Sequence, residues 1–364
     1  MKIKNGLVFD ENKTMTKKDL CFEDGIITEN SLNGEYDATD CYVLPGFIDT
    51  HIHGSCDIDF SFSADHRGDI KKALDYLSSC GVTSIMPTTA TNSPEELKSD
   101  FERIVAANDD RIIGIHAEGP FVNPVRKGGM NPDRLQLPSL ETIKIMNEAS
   151  NGLLKILTMA PELDGADKVI DYCNKNNIAL SLGHTDTTFE EAQEAVNKGY
   201  TRLTHTYNAM RPFSHRDPGV LGFALTDSRV NCELICDLHH VSAAAIKLAV
   251  KAKGAENITM ISDSLFLEGL PEGAYGNLTV KDGFARLPDG TICGSACSLA
   301  VGAKNMFDLG FSPSEIATMA CVNPARAAGV TDRGELKTGM RADIIILDKE
   351  FNVIAVFQKG ERIK

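Results

Sequence analysis

From residue 46 onward the chain alternates two patterns. Short runs in which nearly every position is apolar are separated by longer stretches where apolar residues recur at helical spacing. Eight such runs can be read: GFIDTHI, GVTSIMPTT, RIIGIH, LLKILTMAP, IALSLGH, RLTHT, CELICD and ITMISD. Continuous apolar character suits parallel strands covered on both faces, and the alternation predicts repeated βα units. Eight is the number that a closed (β/α)8 barrel of the TIM type needs, so the expected class is α/β. Two of the intervening helices carry their own boundaries. Residues 93–107 open on Ser-Pro-Glu-Glu, which supplies an N-cap, a proline at the first helical position and acids in the first turn. Residues 187–198, TTFEEAQEAVNK, are closed by Gly199.

Both chain ends lack this rhythm and read as short β segments with Gly and Asn turns. Neither fragment could bury a core alone, so residues 1–45 and 335–364 are expected to pair into one small β-sandwich domain beside a barrel domain of residues 46–334. Composition agrees: 364 residues, 42% of them apolar, suffice for one large and one small core. A net charge of −14 repels nucleic acid and anionic membrane surfaces, which excludes both as partners and means that an anionic substrate needs a local cluster of donors. The ten cysteines are scattered without Cys-x-x-Cys pairs, which points to free thiols in a reducing compartment. No signal-peptide core or membrane-length apolar run is evident, so a soluble cytoplasmic protein is expected.

The chemistry lies at the ends of the apolar runs. His51 and His53 end the first, Glu118 the third, His184 the fifth, His205 the sixth and Asp263 the eighth. A lone histidine near a strand end is more often structural than a ligand. Ligand types on five strands at the face where barrel enzymes build their sites are harder to dismiss. Residues two apart on a strand share a side, so His51 and His53 can reach one ion. Glu118 can bind one ion or bridge two, or can merely cap a helix or pair with a cation. Asp263 reads either as a ligand and proton carrier or as a helix N-cap. Imidazole and carboxylate donors suit one or two divalent ions, zinc or iron first. His66 reads as solvated surface, His116 as either a supporting or a structural histidine, and His215 and His239 carry no assignable role.

Between the sixth and seventh runs, HTYNAMRPFSHRDPGVLG is too polar and too rich in Pro and Gly for a plain connector. The backbone amides of Asn208 and Ala209 can donate to an anionic oxygen, and Arg216 can add a charged fork or form only a surface ion pair. His240 sits beside the same mouth and could help hold a phosphate. In TICGSACSLAVGAKNM, Gly294 is read at a helix start that could touch a ligand, or as a tight turn.

The phrases PGFIDTHIHG, HAEGPF with NPVRKGGMNP, LGHTD, THTYNAMRPFSHRDPG and GSACSL resemble those of the N-acetylglucosamine-6-phosphate deacetylases of the amidohydrolase superfamily, in the same order. The resemblance implies hydrolysis of the acetamido group of an amino sugar 6-phosphate by a hydroxide held on the metal, with Asp263 as general base and then acid. It implies Glu118, His184 and His205 as the shared ligands, and His51 with His53 as the pair of members that hold a second ion. Substrate contacts carry over to Gly129, Asn208, Ala209, Arg216, His240, Ile292, Cys293 and Gly294, with the arginine reaching the neighbouring site of a homodimer. The alternatives are a deacetylase of N-acetylgalactosamine-6-phosphate or of another amide, and a sugar-phosphate-binding barrel without catalysis. Three positions depart from the family: Met130 replaces a histidine, Leu238 a glycine and Ser264 an alanine.

Overall fold

The computed structural model describes residues 1–31, 34–61 and 66–364. The eight apolar runs are eight parallel strands: β1 (Phe47–Ile52), β2 (Val82–Thr89), β3 (Ile115–Glu118), β4 (Leu154–Met159), β5 (Ala179–Leu182), β6 (Tyr200–Leu203), β7 (Asn231–Ile235) and β8 (Ile258–Ile261). They pair in chain order as one sheet. A helix follows each: α1 (Ile70–Ser79), α2 (Pro94–Ala106), α3 (Leu140–Ala149), α4 (Ala166–Lys175), α5 (Phe189–Asn197), α6 (Gly219–Thr226), α7 (Ala243–Lys253) and α8 (Leu299–Asp308). The signals at 93–107 and 187–198 do what they promise, since Ser93 with Glu96 and Thr188 with Glu191 form reciprocal capping boxes on α2 and α5. No helix among the described residues is long and apolar enough to cross a membrane.

Just beyond β8, the chain is tied to β1. Asp263 N donates to His51 O at 2.9 Å, and His53 N donates to Ser264 O at 2.8 Å. The Asp49 carboxylate adds a side-chain link, accepting from the backbone N–H of both His51 (3.2 Å) and Ser262 (3.3 Å). Ser264 then ties the seam to a buried acid, with its hydroxyl against the Glu268 carboxyl and 3.3 Å from Gly54 O. The serine that departs from the family's alanine therefore has a partner.

Both chain ends contribute to two outer sheets. One orders Ile26–Thr28, Leu20–Glu23, Lys2–Lys4 and Glu35–Asp37; the other orders Glu361–Arg362, Val353–Gln358, Ile344–Leu347, Tyr42–Pro45, Leu7–Phe9 and Met15–Lys17. Strands from opposite ends of the sequence pair directly, as in Ile346 with Val43, and Ile3, Val8, Phe22, Ile27, Ile344 and Phe357 share their core. One element was not foreseen. Between β8 and α8 the chain makes a four-stranded antiparallel sheet of Gly273–Tyr275, Leu278–Lys281, Phe284–Arg286 and Ile292–Ser295. Gly294 therefore lies on a strand with φ +62°, not at a helix start; α8 begins five residues later at Leu299. The Gly and Asp turns of EGAYGNLTVKDGFARLPDG were its legible sign.

Burial pushes the Glu268 carboxyl up from 4.5 to about 8, with the Asp49 charge adding to the rise and the Ser264 hydrogen bond opposing it. The folded state thus holds a proton that the unfolded chain releases above pH 4.5, so this group's contribution to stability is present below about pH 4.5 and is lost as pH rises to about 8. Replacing Glu268 with Gln should remove that loss. In urea denaturation the variant should gain on the wild type between pH 5 and pH 9, by on the order of a few kcal/mol; parallel pH profiles would contradict a buried, protonated Glu268.

Candidate active site

The carboxyl ends of the strands converge on one pocket of about 240 Å3. β1 delivers His51 and, one residue past its end, His53; Glu118 is the last residue of β3; His184, His205 and Asp263 each follow their strands by two residues. The last three adopt left-handed backbone, with φ of 47°, 27° and 50°. Such conformations are uncommon outside glycine and concentrate at functional sites, where the surroundings hold them. All six residues are buried, and their ligand atoms form two triads, His51/His53/Asp263 and Glu118/His184/His205.

Distances between the triads show what the cluster lacks. Glu118 Oε1 lies 3.0 Å from His184 Nε2 and 2.9 Å from His205 Nε2, while Asp263 Oδ1 is 3.3 Å from both His51 Nε2 and His53 Nε2. The second oxygen of Glu118 is 3.3 Å from His53 Nε2, so this carboxylate spans both triads. The tautomers are set from behind. His184 Nδ1 is 2.8 Å from the Arg126 carbonyl, which can only accept, so Nδ1 carries the hydrogen and Nε2 presents a lone pair to a carboxylate oxygen. His51 Nδ1 is likewise 3.1 Å from the Glu233 carboxylate, which leaves its Nε2 without a hydrogen-bond partner. With His51 and His184 as neutral rings, acceptor would face acceptor, so each triad calls for protons on those nitrogens or a metal cation between the donors. Burial opposes charge on His53, yet hydrogen bonds from its ring to Asp263 and Glu118 lift it to about 9. Burial raises Glu118, but the charges of His51 and His184 outweigh it and hold the carboxyl well below its usual range. The donor set therefore keeps either protons or a divalent metal, and the metal displaces the protons.

Glu233 and Arg202 are what the sequence reading missed. Arg202 Nη2 donates to Glu233 Oε1 at 3.1 Å inside the barrel, and Glu233 Oε2 faces His51. An acid in the apolar run CELICD was a visible signal, but its partners lie on other strands. His116 is structural: its Nε2 is 2.8 Å from Thr158 Oγ1, its ring meets the His51 ring edge-on at 4.5 Å, and burial lowers it to about 3, so it is neutral. Arg126 also pairs with Asp186 at 2.7 Å, which steadies the carbonyl that orients His184.

Gly129, Met130, Asn208, Ala209, His240, Leu265, Ile292, Cys293 and Gly294 line the same pocket with five of the six cluster residues; His51 lies behind them. A side chain at Gly129 would meet Cys293 Sγ at 2.5 Å, so only glycine lets the two loops approach. His240 is oriented by Asp237, whose Oδ2 lies 2.6 Å from its Nδ1 and whose Oδ1 accepts from the backbone N–H of His239 and His240, both at 2.9 Å. The Asn208 N–H bonds to His205 O at 2.9 Å, and the residue lines the pocket beside Ala209. Arg216 is exposed and stands outside this chain's own pocket. Leu238 has φ +68°, the conformation that explains the glycine usual there and costs a leucine roughly 1–2 kcal/mol. His66, read as solvated, instead stacks on Phe266 at 4.0 Å and pairs with Asp57 at 2.7 Å. A larger groove of about 940 Å3 lies between the outer sheets and the barrel, but its Arg333 and Arg341 are already paired with Asp332 and Asp110.

A (β/α)8 barrel with four imidazoles and two carboxylates gathered at its carboxyl mouth defines a metal-dependent hydrolase. The chain belongs to the amidohydrolase family, whose model matches residues 42–363. It is 35% identical to the N-acetylglucosamine-6-phosphate deacetylase of Bacillus subtilis, over 88% of this chain and 84% of that protein. It is 32% identical to the N-acetylgalactosamine-6-phosphate deacetylase of Escherichia coli, over 88% and 87%. Among solved structures it is similar to a variant N-acetyl-D-glucosamine-6-phosphate deacetylase of Mycobacterium smegmatis in complex with N-acetyl-D-glucosamine-6-phosphate, with a TM-score of 0.93 and 28% identity over 100% of this chain and 99% of that one.

Zinc added to chelator-treated protein should raise the thermal transition, since a ligand at 100 times its Kd adds about 2.7 kcal/mol. Glu118→Ala should abolish most of that rise in a calorimetric scan. A transition indifferent to zinc, iron(II), manganese and cobalt would count against the metal reading.

Proposed function

We propose that the protein hydrolyses the acetamido group of N-acetylglucosamine-6-phosphate, releasing acetate and glucosamine-6-phosphate. One observation carries this reading: the metal-ligand cluster, Asp263 included, and the donors for an anionic sugar line a single pocket. The relatives of like name and the neighbour holding that sugar phosphate support it.

The two triads would hold one or two divalent ions, Glu118/His184/His205 the first and His51/His53/Asp263 a second, with zinc or iron the metals that this mixed imidazole and carboxylate set favours. Such ions polarise the amide carbonyl and acidify water. Asp263 does the proton work. Burial raises its carboxyl, but the charge of His51 and the hydrogen bond with His53 overcome that, so it stays ionised as a base. It accepts a proton from the attacking water and delivers it to the departing amine nitrogen. The Ala209 amide and His240, fixed by Asp237, face the phosphate. Ile292, Cys293, Gly294 and Gly129 hold the sugar against Leu265 and Met130. Arg216, exposed here, serves the neighbouring pocket of a homodimer. Free thiols throughout suit the reducing cytoplasm. A galactosamine substrate is the second reading, supported by the Escherichia coli relative.

Acetate release should be measured on both sugar phosphates, before and after chelation and with zinc restored. Turnover of the gluco substrate that vanishes and returns supports the proposal; turnover confined to the galacto epimer, or none on either, overturns it. Asp263→Asn should lower kcat by roughly 100- to 10,000-fold while leaving zinc on the Glu118/His184/His205 triad, and a variant with near-normal turnover would remove Asp263 from the proton path.

A further inference from the structure

Behind the His51/His53/Asp263 triad lies a charged relay that touches no substrate. Arg202 on β6 and Glu233 on β7 are buried inside the barrel, 3.1 Å apart, and Glu233 Oε2 reaches across to His51 Nδ1 on β1 at 3.1 Å. Glu233 Oε2 also lies 3.5 Å from the backbone N–H of His205. Arg202 can only donate, so it claims one carboxylate oxygen; the other is left to accept from His51. We infer that Glu233, held in this orientation by Arg202, is a positioning residue that keeps the His51 proton on Nδ1 and so governs loading of the His51/His53/Asp263 half of the centre alone.

The Glu118/His184/His205 half takes its ring orientation from elsewhere, since Glu233 reaches it only through the 3.5 Å contact to the His205 backbone N–H and touches none of its imidazole nitrogens. Its anchor is the Arg126 carbonyl on His184, which belongs to a surface loop and shares no partner with Glu233. The two halves therefore answer to different supports, and one can be weakened while the other stands. This inference rests on the two-ion form of the reading above and adds the device that sets occupancy.

Glu233→Gln tests it through a forced choice. Arg202 demands the amide oxygen, so the amide NH2 is turned toward His51 Nδ1. His51 must then accept at Nδ1 and carry its proton on Nε2, where it cannot bind a metal. Zinc titration followed by calorimetry and elemental analysis should show two ions in the wild type. In E233Q one ion should remain tight and the affinity of the other should fall 10- to 100-fold. Adding Arg202→Met frees the glutamine to turn its oxygen to His51, and the double variant should recover the second ion, which a merely structural role would not produce. Two unchanged ions in E233Q, loss of both ions together, or no recovery in the double variant would each overturn the inference, as would a wild type that holds a single ion. A wild type that holds none would instead overturn the metal reading itself. Should E233Q fail to fold, nitrogen-15 spectra of zinc-loaded wild-type protein decide the matter: a proton on His51 Nδ1 supports the inference and one on Nε2 ends it.

Discussion

Closure of the barrel between its first and last strands is the constraint on which the site depends. His51 and His53 come from β1 and Asp263 from the end of β8, and the hydrogen bonds between the His51 carbonyl and Asp263 N, and between His53 N and the Ser264 carbonyl, set their separation. A parallel barrel closes only if its strands are staggered and tilted together. The seam is therefore placed by all eight strands rather than by local contacts. Asp49 and the Ser264–Glu268 pair add side-chain links to the same seam, which is why buried acids with no role toward substrate cluster beside the ligands.

That frame supports an arrangement that would be unfavourable alone. Two carboxylates and four imidazoles are drawn out of water with lone pairs facing one another, and three of the six residues hold left-handed backbone. Buried charge is tolerated when it is paired and hydrogen-bonded. Here two of the rings are fixed from behind by a neutral or oppositely charged partner: Arg126 O for His184 and Glu233 for His51. The stiffness of those partners decides tautomer and direction, so the pocket selects a cation before any substrate arrives.

Periodicity carried most of the fold and the ligand positions. Eight apolar runs became eight strands because strands covered on both faces must be apolar throughout, and the ligands stood out as the polar residues at their ends. Other features depended on distance across the barrel. Glu233 and Arg202 sit on different strands, and nothing local to CELICD or YTRL shows that they meet each other and His51. The turn that joins the Asn208 N–H to His205 O is likewise a matter of backbone geometry, which residue type cannot reveal. The antiparallel sheet between β8 and α8 was overlooked because its strands are short and polar, and it moved Gly294 from a helix start to a strand beside the pocket.

The departures from the family's pattern divide along the same line. Leu238 keeps the left-handed backbone that a glycine adopts freely, and Ser264 gains a buried partner in Glu268, so both changes are absorbed by backbone or neighbours. Met130 differs because it lines the pocket itself, where a thioether offers no proton to a developing oxyanion. An electrophile for that oxygen would then have to come from the cation site, unless the substrate sits differently. At that site His51 and His53 add two nitrogens to the Glu118/His184/His205 set, with Glu118 reaching both groups. Loss of that imidazole and gain of a second cation-binding triad would be complementary, since either can stabilise negative charge developing on an oxygen.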